Sequence, residues 1–321
     1  GAVADAVDGP AAMPQPAAAH PAAGAAAGVA AAGVAAAGVA AAGVAAAGVA
    51  AGVVAPAPNP LDGLRRLLAE KGELHALDGS SGALGRDGYD VLVSPLLRAE
   101  RCSLRWLGCS AVPRESAEAL IAALAVNNSL TTLQLGCNSL TKQAAAALGG
   151  ALRSGCTQLR RLTVEHNQTL DSGGSAILGS CMESGLETLS LAFTGAGDAS
   201  CAAAADVIRA HRPLARLSLC GNAVSPSGVA ALVDAMGKAG ASAPFRALNL
   251  SCNHLIDASA ASSLARILPT ASLTSLELAG CAIDSKTVGL FAAALPQSRI
   301  AHLDLSANHF GDVGAWSLAW A

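Results

Sequence analysis

The chain has 321 residues, of which 52% are hydrophobic, whereas aromatic residues make up 2% and charged residues 13%. The net charge of −3 argues against the strongly basic surface of nucleic-acid-binding and polybasic membrane-binding proteins, so we expect neither partner. The nine cysteines are widely scattered, which argues against a small disulfide-stabilised scaffold.

Residues 1–60 form a low-complexity segment without lysine or arginine. An imperfect pentad, GVAAA, repeats inside it, and the proline-rich sequence APAPNP closes it at 55–60. Successive valines of the pentad are rotated by roughly 140° around a helix, so they build no apolar face. We predict a flexible arm, with a fluctuating helix or a membrane or targeting element as the alternatives. The segment lacks the basic region of a signal peptide and the arginines of a transit peptide.

After Pro60 the sequence LDGLRRLLAE predicts an amphipathic helix, and we place an N-terminal capping helix at 61–73. A spaced pattern, LxxLxLxxNxL, then begins, and the segment at 130–140 fits it at every position. Its last apolar position, the anchor, recurs every 26–31 residues through 74–321. The anchors are Leu84, Val112, Leu140, Leu170, Ala196, Val224, Leu255, Ile283 and Phe310.

Apolar residues eight and twelve positions after the anchors predict one helix per repeat, because residues four apart share a helix face. Ser263 interrupts this row, and we expect Leu264 beside it to take its place. Each repeat is thus predicted to be a strand, a turn, a helix and a return loop. Strands stack about 4.8 Å apart and helices about 10 Å apart, so we expect an arc with the sheet inside.

An asparagine column follows the predicted strands, and we expect its side chains to satisfy backbone groups that the strand leaves unpaired. Its members are Asn138, Asn167, Asn222, Asn253 and Asn308. Ser110, Thr194 and Cys281 occupy the column in other repeats.

These nine copies resemble the leucine-rich repeat family, specifically its long ribonuclease-inhibitor-like subtype. The resemblance covers residues 74–321 and implies an α/β solenoid shaped like a horseshoe. A parallel β-sheet is expected on the concave face and helices on the convex face, in about nine repeats. The first two copies depart from the pattern. Gly79 stands where a core leucine belongs, and Arg105 takes an inward position unless Leu104 replaces it.

The sequence contains no phosphate-binding loop, nucleophile elbow, zinc-protease motif or CxxC pair. We therefore predict a protein that is not an enzyme, with no catalytic residue, no cofactor and no metal. Cys109, Cys137 and Cys252 each lie three residues before an anchor, and we interpret them as buried structural residues. Unpaired thiols favour a reducing compartment, so we expect a cytoplasmic location.

The outward residues of the strands are the candidates for binding, because packing does not require them. We place Trp106, Glu277 and Asp304 in the central outward column. Leu104, Arg161 and Arg216 are placed in the column before it. Trp106 is the main hot-spot candidate for binding, since interface hot spots are enriched in Trp and Arg. A core position is the alternative. The predicted binding residues are Trp106, Gln134, Arg161, Thr163, Glu165, Arg216, Asn249, Glu277, His302 and Asp304.

The resemblance implies a non-catalytic scaffold that binds a protein partner on the concave face. One alternative is a GTPase-activating protein similar to the Ran GTPase activator, although those proteins carry an acidic tail that is not visible before Ala321. The other is the sensor arm of a larger nucleotide-binding leucine-rich repeat receptor-type protein, which the uncapped final sequence GAWSLAWA favours.

Overall fold

A computed structural model describes residues 74–79, 86, 88–99, 102–170 and 172–321. The predicted arm at 1–60, the predicted capping helix at 61–73 and the first anchor, Leu84, lie outside the described residues.

Nine short strands and nine α-helices alternate along the described residues. The strands are β1 (Ala76–Gly79), β2 (Trp106–Cys109), β3 (Thr132–Gln134), β4 (Arg161–Thr163), β5 (Thr188–Ser190), β6 (Arg216–Ser218), β7 (Ala247–Asn249), β8 (Ser275–Glu277) and β9 (His302–Asp304). The helices are α1 (Ser94–Arg98), α2 (Arg114–Leu124), α3 (Lys142–Ser154), α4 (Gly173–Ser180), α5 (Asp198–Arg209), α6 (Pro226–Ala239), α7 (Ala258–Ile267), α8 (Ser285–Ala294) and α9 (Gly311–Ala319). Further helical segments that are not α-helical lie at Gly88–Val93, Gln168–Leu170, Gly240–Ser242 and Leu295–Gln297.

All nine strands form one parallel sheet in the order β1 to β9. Adjacent strands pair at equivalent repeat positions, so that Leu133 of β3 lies opposite Leu162 of β4, which lies opposite Leu189 of β5. Parallel neighbours need a crossover connection, and from β2 onward one helix lies in each. The predicted solenoid of about nine strand-and-helix repeats is confirmed.

The inward leucines of the strands and the apolar helix faces form one continuous core. In the third repeat, Leu133 and Leu135 are joined there by Leu148 and Leu152 of α3, and each side chain is at most 2% exposed. Burial of each such side chain contributes roughly 2 kcal/mol. The strands therefore keep one face in the core and leave the other free.

The predicted role of the asparagine column is confirmed. The Asn167 side chain accepts hydrogen bonds from the N–H groups of Asn138 (3.0 Å) and Leu140 (2.9 Å) in the preceding repeat, and donates one to the Leu135 carbonyl (2.9 Å). Because unpaired buried backbone groups are costly, these bonds fix each turn against the next. The same kind of bridge is made by Asn138, Asn222, Asn253 and Asn308.

Four of the helices in the described part of the chain have an N-cap residue whose side chain accepts a backbone hydrogen bond. Thr141 accepts a hydrogen bond from the N–H of Ala144 at the start of α3, and Asp284 accepts one from Thr287 at the start of α8. Ser225 and Asp257 do the same for α6 and α7. These caps satisfy N–H groups that have no partner within the helix, so each helix begins at a set distance after its turn.

The strand register of the second repeat differs from the prediction. Leu107 and Cys109 are its inward strand residues, Leu104 is buried ahead of them, and Arg105 is exposed rather than inward. Val112 nevertheless holds the anchor position, because its N–H donates to the asparagine of the next repeat at 2.8 Å. The turn between strand and anchor is two residues shorter here than in the third repeat.

The anchor predicted for the seventh repeat is wrong. The Leu255 side chain is 57% exposed, whereas Ile256 is 1% exposed and fills the anchor position. One additional residue follows Asn253, and it moves the helix register by one. The expectation that Leu264 replaces Ser263 in the core is confirmed, since Leu264 is fully buried.

Candidate functional site

The strand residues on either side of the inward leucines form a surface that we call the open sheet face. Strand pairing places them in two columns. The first column contains Ala76, Trp106, Thr132, Arg161, Thr188, Arg216, Ala247, Ser275 and His302. The second column contains Asp78, Gly108, Gln134, Thr163, Ser190, Ser218, Asn249, Glu277 and Asp304.

Trp106 lies in the first column, so its predicted place in the central column is wrong, and Leu104 lies in neither column. The cause is the shorter turn of the second repeat, which puts Gly108 in the second column. The indole lies across Gly108, since a β-carbon there would come within 2.6 Å of its Cη2 atom. Trp106 is half-buried, so the alternative of a core position is also wrong.

Two arginines occupy the first column in the middle of the sheet, Arg161 on β4 and Arg216 on β6, with Thr188 of β5 between them. Both arginines are exposed, and among the described residues neither guanidinium has a hydrogen-bond or ion-pair partner. The neighbouring Arg160 differs, because its Nε atom lies 3.5 Å from Oε1 of Glu187. The centre of the open sheet face therefore carries two cations that have no ion-pair partner among the described residues.

The C-terminal end of the open sheet face is acidic. In the second column, Nδ2 of Asn249 donates to Oε2 of Glu277 at 2.6 Å, and Asp304 follows on β9. The Asp304 carboxylate also accepts the N–H of Ser306 at 2.9 Å. His302 is exposed beside these groups in the first column. The four predicted residues at this end are thus brought together.

The remaining predicted residues divide between the second column and its border. Gln134 is exposed and Thr163 half-buried, and both lie in the second column. Glu165 lies beyond the end of β4, outside both columns, and its Oε1 accepts a hydrogen bond from the Ser190 hydroxyl at 2.6 Å. Its carboxylate is consequently already engaged with the sheet.

A row of left-handed residues borders the open sheet face, and the sequence reasoning did not identify it as part of a site. His166 and Phe193 both have a φ of 55°, and their rings stack with centroids 4.7 Å apart. Phe193 is 37% exposed and lies against Gly221, where a β-carbon would clash with its ring. Bulky residues rarely adopt this conformation, and the sequence signal was an aromatic residue at a position that other repeats give to glycine. The row comprises Cys137, His166, Phe193, Gly221, Cys252, Gly280 and Ala307.

All nine cysteines are free. The prediction of burial holds for Cys109, whereas Cys137 is exposed and Cys252 half-buried, because both belong to the left-handed row. Burial raises the pKa of the Cys156 and Cys201 thiols to about 12, so these groups are protonated near neutral pH. The described residues contain no group of three or more His, Cys, Asp or Glu side chains placed to hold a metal ion. They also contain no helix with the length and hydropathy of a membrane span.

Comparison with known proteins gives matches in both sequence pattern and fold. A family model described as a leucine-rich repeat matches residues 126–149, 241–265 and 300–319, which lie in the third, seventh and ninth repeats. No curated protein matches the sequence significantly.

Three solved structures are similar at low sequence identity. A chain of the Rad7 and Elc1 complex from yeast is 15% identical, with a TM-score of 0.54 over 80% of this chain and 66% of that chain. An internalin, InlF from Listeria monocytogenes, is 18% identical, with a TM-score of 0.32 over 68% of this chain and 78% of that chain. A chain of the TLR13–ssRNA13 complex is 15% identical, with a TM-score of 0.38 over 68% of this chain and 35% of that chain.

The likeness to the yeast complex concerns the fold alone, and this chain spans just under two thirds of the matched chain. The ribonuclease-inhibitor-like subtype stays a prediction. The nine parallel strand-and-helix repeats, the asparagine column and the three family-model matches identify the chain as a leucine-rich repeat protein.

Proposed function

We propose that the chain is a non-catalytic scaffold that binds a protein partner on its open sheet face, the concave face of the predicted horseshoe. The observation that carries this proposal is the pair of outward columns, whose side chains differ from strand to strand while the inward leucines repeat. Nine strands at about 4.8 Å spacing give a surface of roughly 40 Å. Small-molecule sites are concave and enclose their ligand, whereas an open surface of this length suits a protein.

The distribution of side chains supports a protein interface. Trp106 provides a half-buried aromatic surface at one end, Arg161 and Arg216 provide unpaired cations in the centre, and Glu277 and Asp304 provide acidic groups at the other end. Tryptophan and arginine are the residues that most often dominate interface binding energy. The alternation of apolar, basic and acidic regions also gives a partner one preferred orientation.

We assign the chain no enzymatic activity and no cofactor. Its buried cysteines are poor nucleophiles, because burial keeps the thiols of Cys109, Cys156, Cys181 and Cys201 protonated. The nine free thiols support a reducing, cytoplasmic location. No nucleic acid or membrane is proposed as a partner, because the acidic end of the open sheet face repels phosphate groups.

Site-specific photocrosslinking tests the proposal. The photoreactive residue p-benzoylphenylalanine replaces Gln134, which is exposed on the open sheet face, or Gln143, which is exposed on α3 and serves as the matched control. The substituted chain is expressed and irradiated in cells of the organism that encodes it. We expect the chain substituted at Gln134 to form discrete adducts with another protein, which mass spectrometry identifies. Adducts that arise equally or only from the Gln143 position would contradict binding on the sheet.

A further inference from the structure

We infer that Arg161 and Arg216 together bind an acidic segment of the protein partner. We call Arg161, Thr188 and Arg216 the arginine clamp. The inference rests on the proposed function, because it names the chemistry of a ligand for the same open sheet face.

Strand pairing places the two arginines on either side of one short residue. Arg161 pairs with Thr188, and Thr188 pairs with Arg216, so the three residues lie at one level of the sheet. Two strand spacings put the Cα atoms of the arginines roughly 10 Å apart. Thr188 is half-buried, and its side chain is much shorter than that of an arginine, so both guanidinium groups can reach one ligand group between them.

The two guanidinium groups differ from the other arginines near the sheet, because neither has a partner in the described part of the chain. Arg105, Arg160 and Arg246 stand one position earlier in their repeats, and each donates to backbone carbonyl groups. Arg161 and Arg216 have no such bond among the described residues. An unpaired guanidinium presents a planar fork of donors that matches a carboxylate in two parallel hydrogen bonds.

The acidic groups of the same face do not neutralise the clamp. The Glu165 carboxylate lies against the Ser190 hydroxyl on β5, two residues beyond Thr188, and within the described part of the chain it forms no ion pair with either arginine. Glu277 lies two strands beyond Arg216 and is held by Asn249. The positive charge at the centre is therefore available to a ligand.

Two neutral side chains beside the clamp can form hydrogen bonds with a ligand. Thr163 and Ser218 lie in the second column on the same strands as the two arginines, and both are half-buried. Their hydroxyl groups can donate to a carboxylate or to the carbonyl groups of an extended peptide. The clamp lies on the open sheet face, which favours a peptide segment that crosses several strands over a small anion.

Nucleic acid is the weaker alternative for this cation pair. Its phosphates continue on both sides of any contact, and the C-terminal end of the open sheet face carries Glu277 and Asp304. Like charges that face each other across an interface are unfavourable. An acidic peptide is flexible, so a few of its residues can occupy the centre while the rest of the peptide leaves the sheet before it meets these carboxylates.

Fluorescence anisotropy with defined peptides tests the inference on the full chain. The probes are a fluorescein-labelled decaglutamate peptide and a decaglutamine peptide of equal length. We expect the wild-type chain to bind decaglutamate and not decaglutamine. The double variant Arg161→Ala/Arg216→Ala should bind decaglutamate at least tenfold more weakly. The matched control Arg153→Ala/Arg266→Ala removes the same charge from exposed positions on α3 and α7, and should bind as the wild type does.

Two results would overturn the clamp, namely equal loss of affinity in both double variants and no binding of decaglutamate by the wild type. Circular dichroism melting of each variant verifies that the chain is folded before binding is measured. Photocrosslinking from position 134 distinguishes failure of the clamp inference from failure of the proposed scaffold function. If adduct yield is undiminished in the Arg161→Ala/Arg216→Ala variant, the clamp is wrong and the scaffold stands. If the wild-type chain forms no adduct from Gln134, the scaffold itself is contradicted whatever the peptides do.

Discussion

The Trp106 indole lies across Gly108, two positions further along the same strand. Any β-carbon at residue 108 would meet the indole ring, so the glycine is what allows the largest side chain of the open sheet face to lie flat on the sheet. Because the ring covers backbone and stays half-exposed, Trp106 is both positioned and accessible. These are the properties of a hot-spot residue in a protein interface.

Asp198 joins two repeats through hydrogen bonds to the start of α6. Its carboxylate accepts the N–H of Ser225 at 2.9 Å, the Ser225 hydroxyl at 2.6 Å and the Ser227 hydroxyl. Burial raises the pKa of Asp198, but these hydrogen bonds outweigh burial and hold the pKa below its usual value of 3.8. The ionised carboxylate is therefore the form that stabilises the fold.

Asp198→Asn is expected to lower the free energy of unfolding near neutral pH, because the folded-state pKa of Asp198 is depressed. The stabilisation is fully present above the unfolded-state pKa of about 4 and is lost as the pH falls through the folded-state value. Urea unfolding of wild type and variant as a function of pH measures the difference, which should shrink below about pH 4. Asp312→Asn, at an exposed position on α9, is the control for loss of one carboxylate. A difference that does not vary with pH would contradict the assignment.

Within one repeat, the position of the anchor decides which side chains enter the core. The anchor pattern predicted the strands and helices from the third repeat onward, because its spacing reflects both the inward leucines and the helix face. It failed at Trp106 because anchor spacing does not measure the turn between strand and anchor. It failed at Leu255 because Ile256 is equally apolar, and only the packed structure distinguishes the two.

Paired alanine substitutions in the seventh repeat test its corrected register. Ile256→Ala is expected to lower the free energy of unfolding by about 2–5 kcal/mol, because Ile256 is 1% exposed. Leu255→Ala, one residue earlier, should change it by less than about 0.5 kcal/mol, because Leu255 is 57% exposed. Chemical denaturation of both variants gives the comparison. A larger loss for Leu255→Ala would restore the anchor predicted from the sequence.

The left-handed row could not be predicted from residue type, because contacts between repeats fix its conformation. The N–H of Cys137 donates to the Glu165 carbonyl at 2.9 Å, and the N–H of His166 donates to the Ala192 carbonyl at 2.9 Å. The N–H of Phe193 continues the series in the next repeat. Each turn therefore depends on the turn that follows it, whereas residue preferences describe one chain segment alone.

For the whole molecule, the positions of the charged residues say more about a binding partner than the net charge does. The net charge of −3 argues only against a strongly basic protein. Alternation of inward and outward residues predicted that Arg161 and Arg216 share one column and that Glu277 and Asp304 share another. That neither arginine has a partner among the residues that the structure describes depends on neighbouring strands, and the sequence alone does not show it. A partner is thus expected to meet Trp106 near one end, two arginines in the centre and an acidic group at the other end of one sheet.

Hydroxyl-radical footprinting of the chain with and without the partner captured through Gln134 tests binding on the open sheet face most directly. Mass spectrometry compares oxidation of Trp106, which lies on that face, with oxidation of Trp316, which is 65% exposed on α9. We predict that the partner protects Trp106 and leaves oxidation of Trp316 unchanged. Protection of Trp316 with unchanged oxidation of Trp106 would place the partner elsewhere and contradict the proposal.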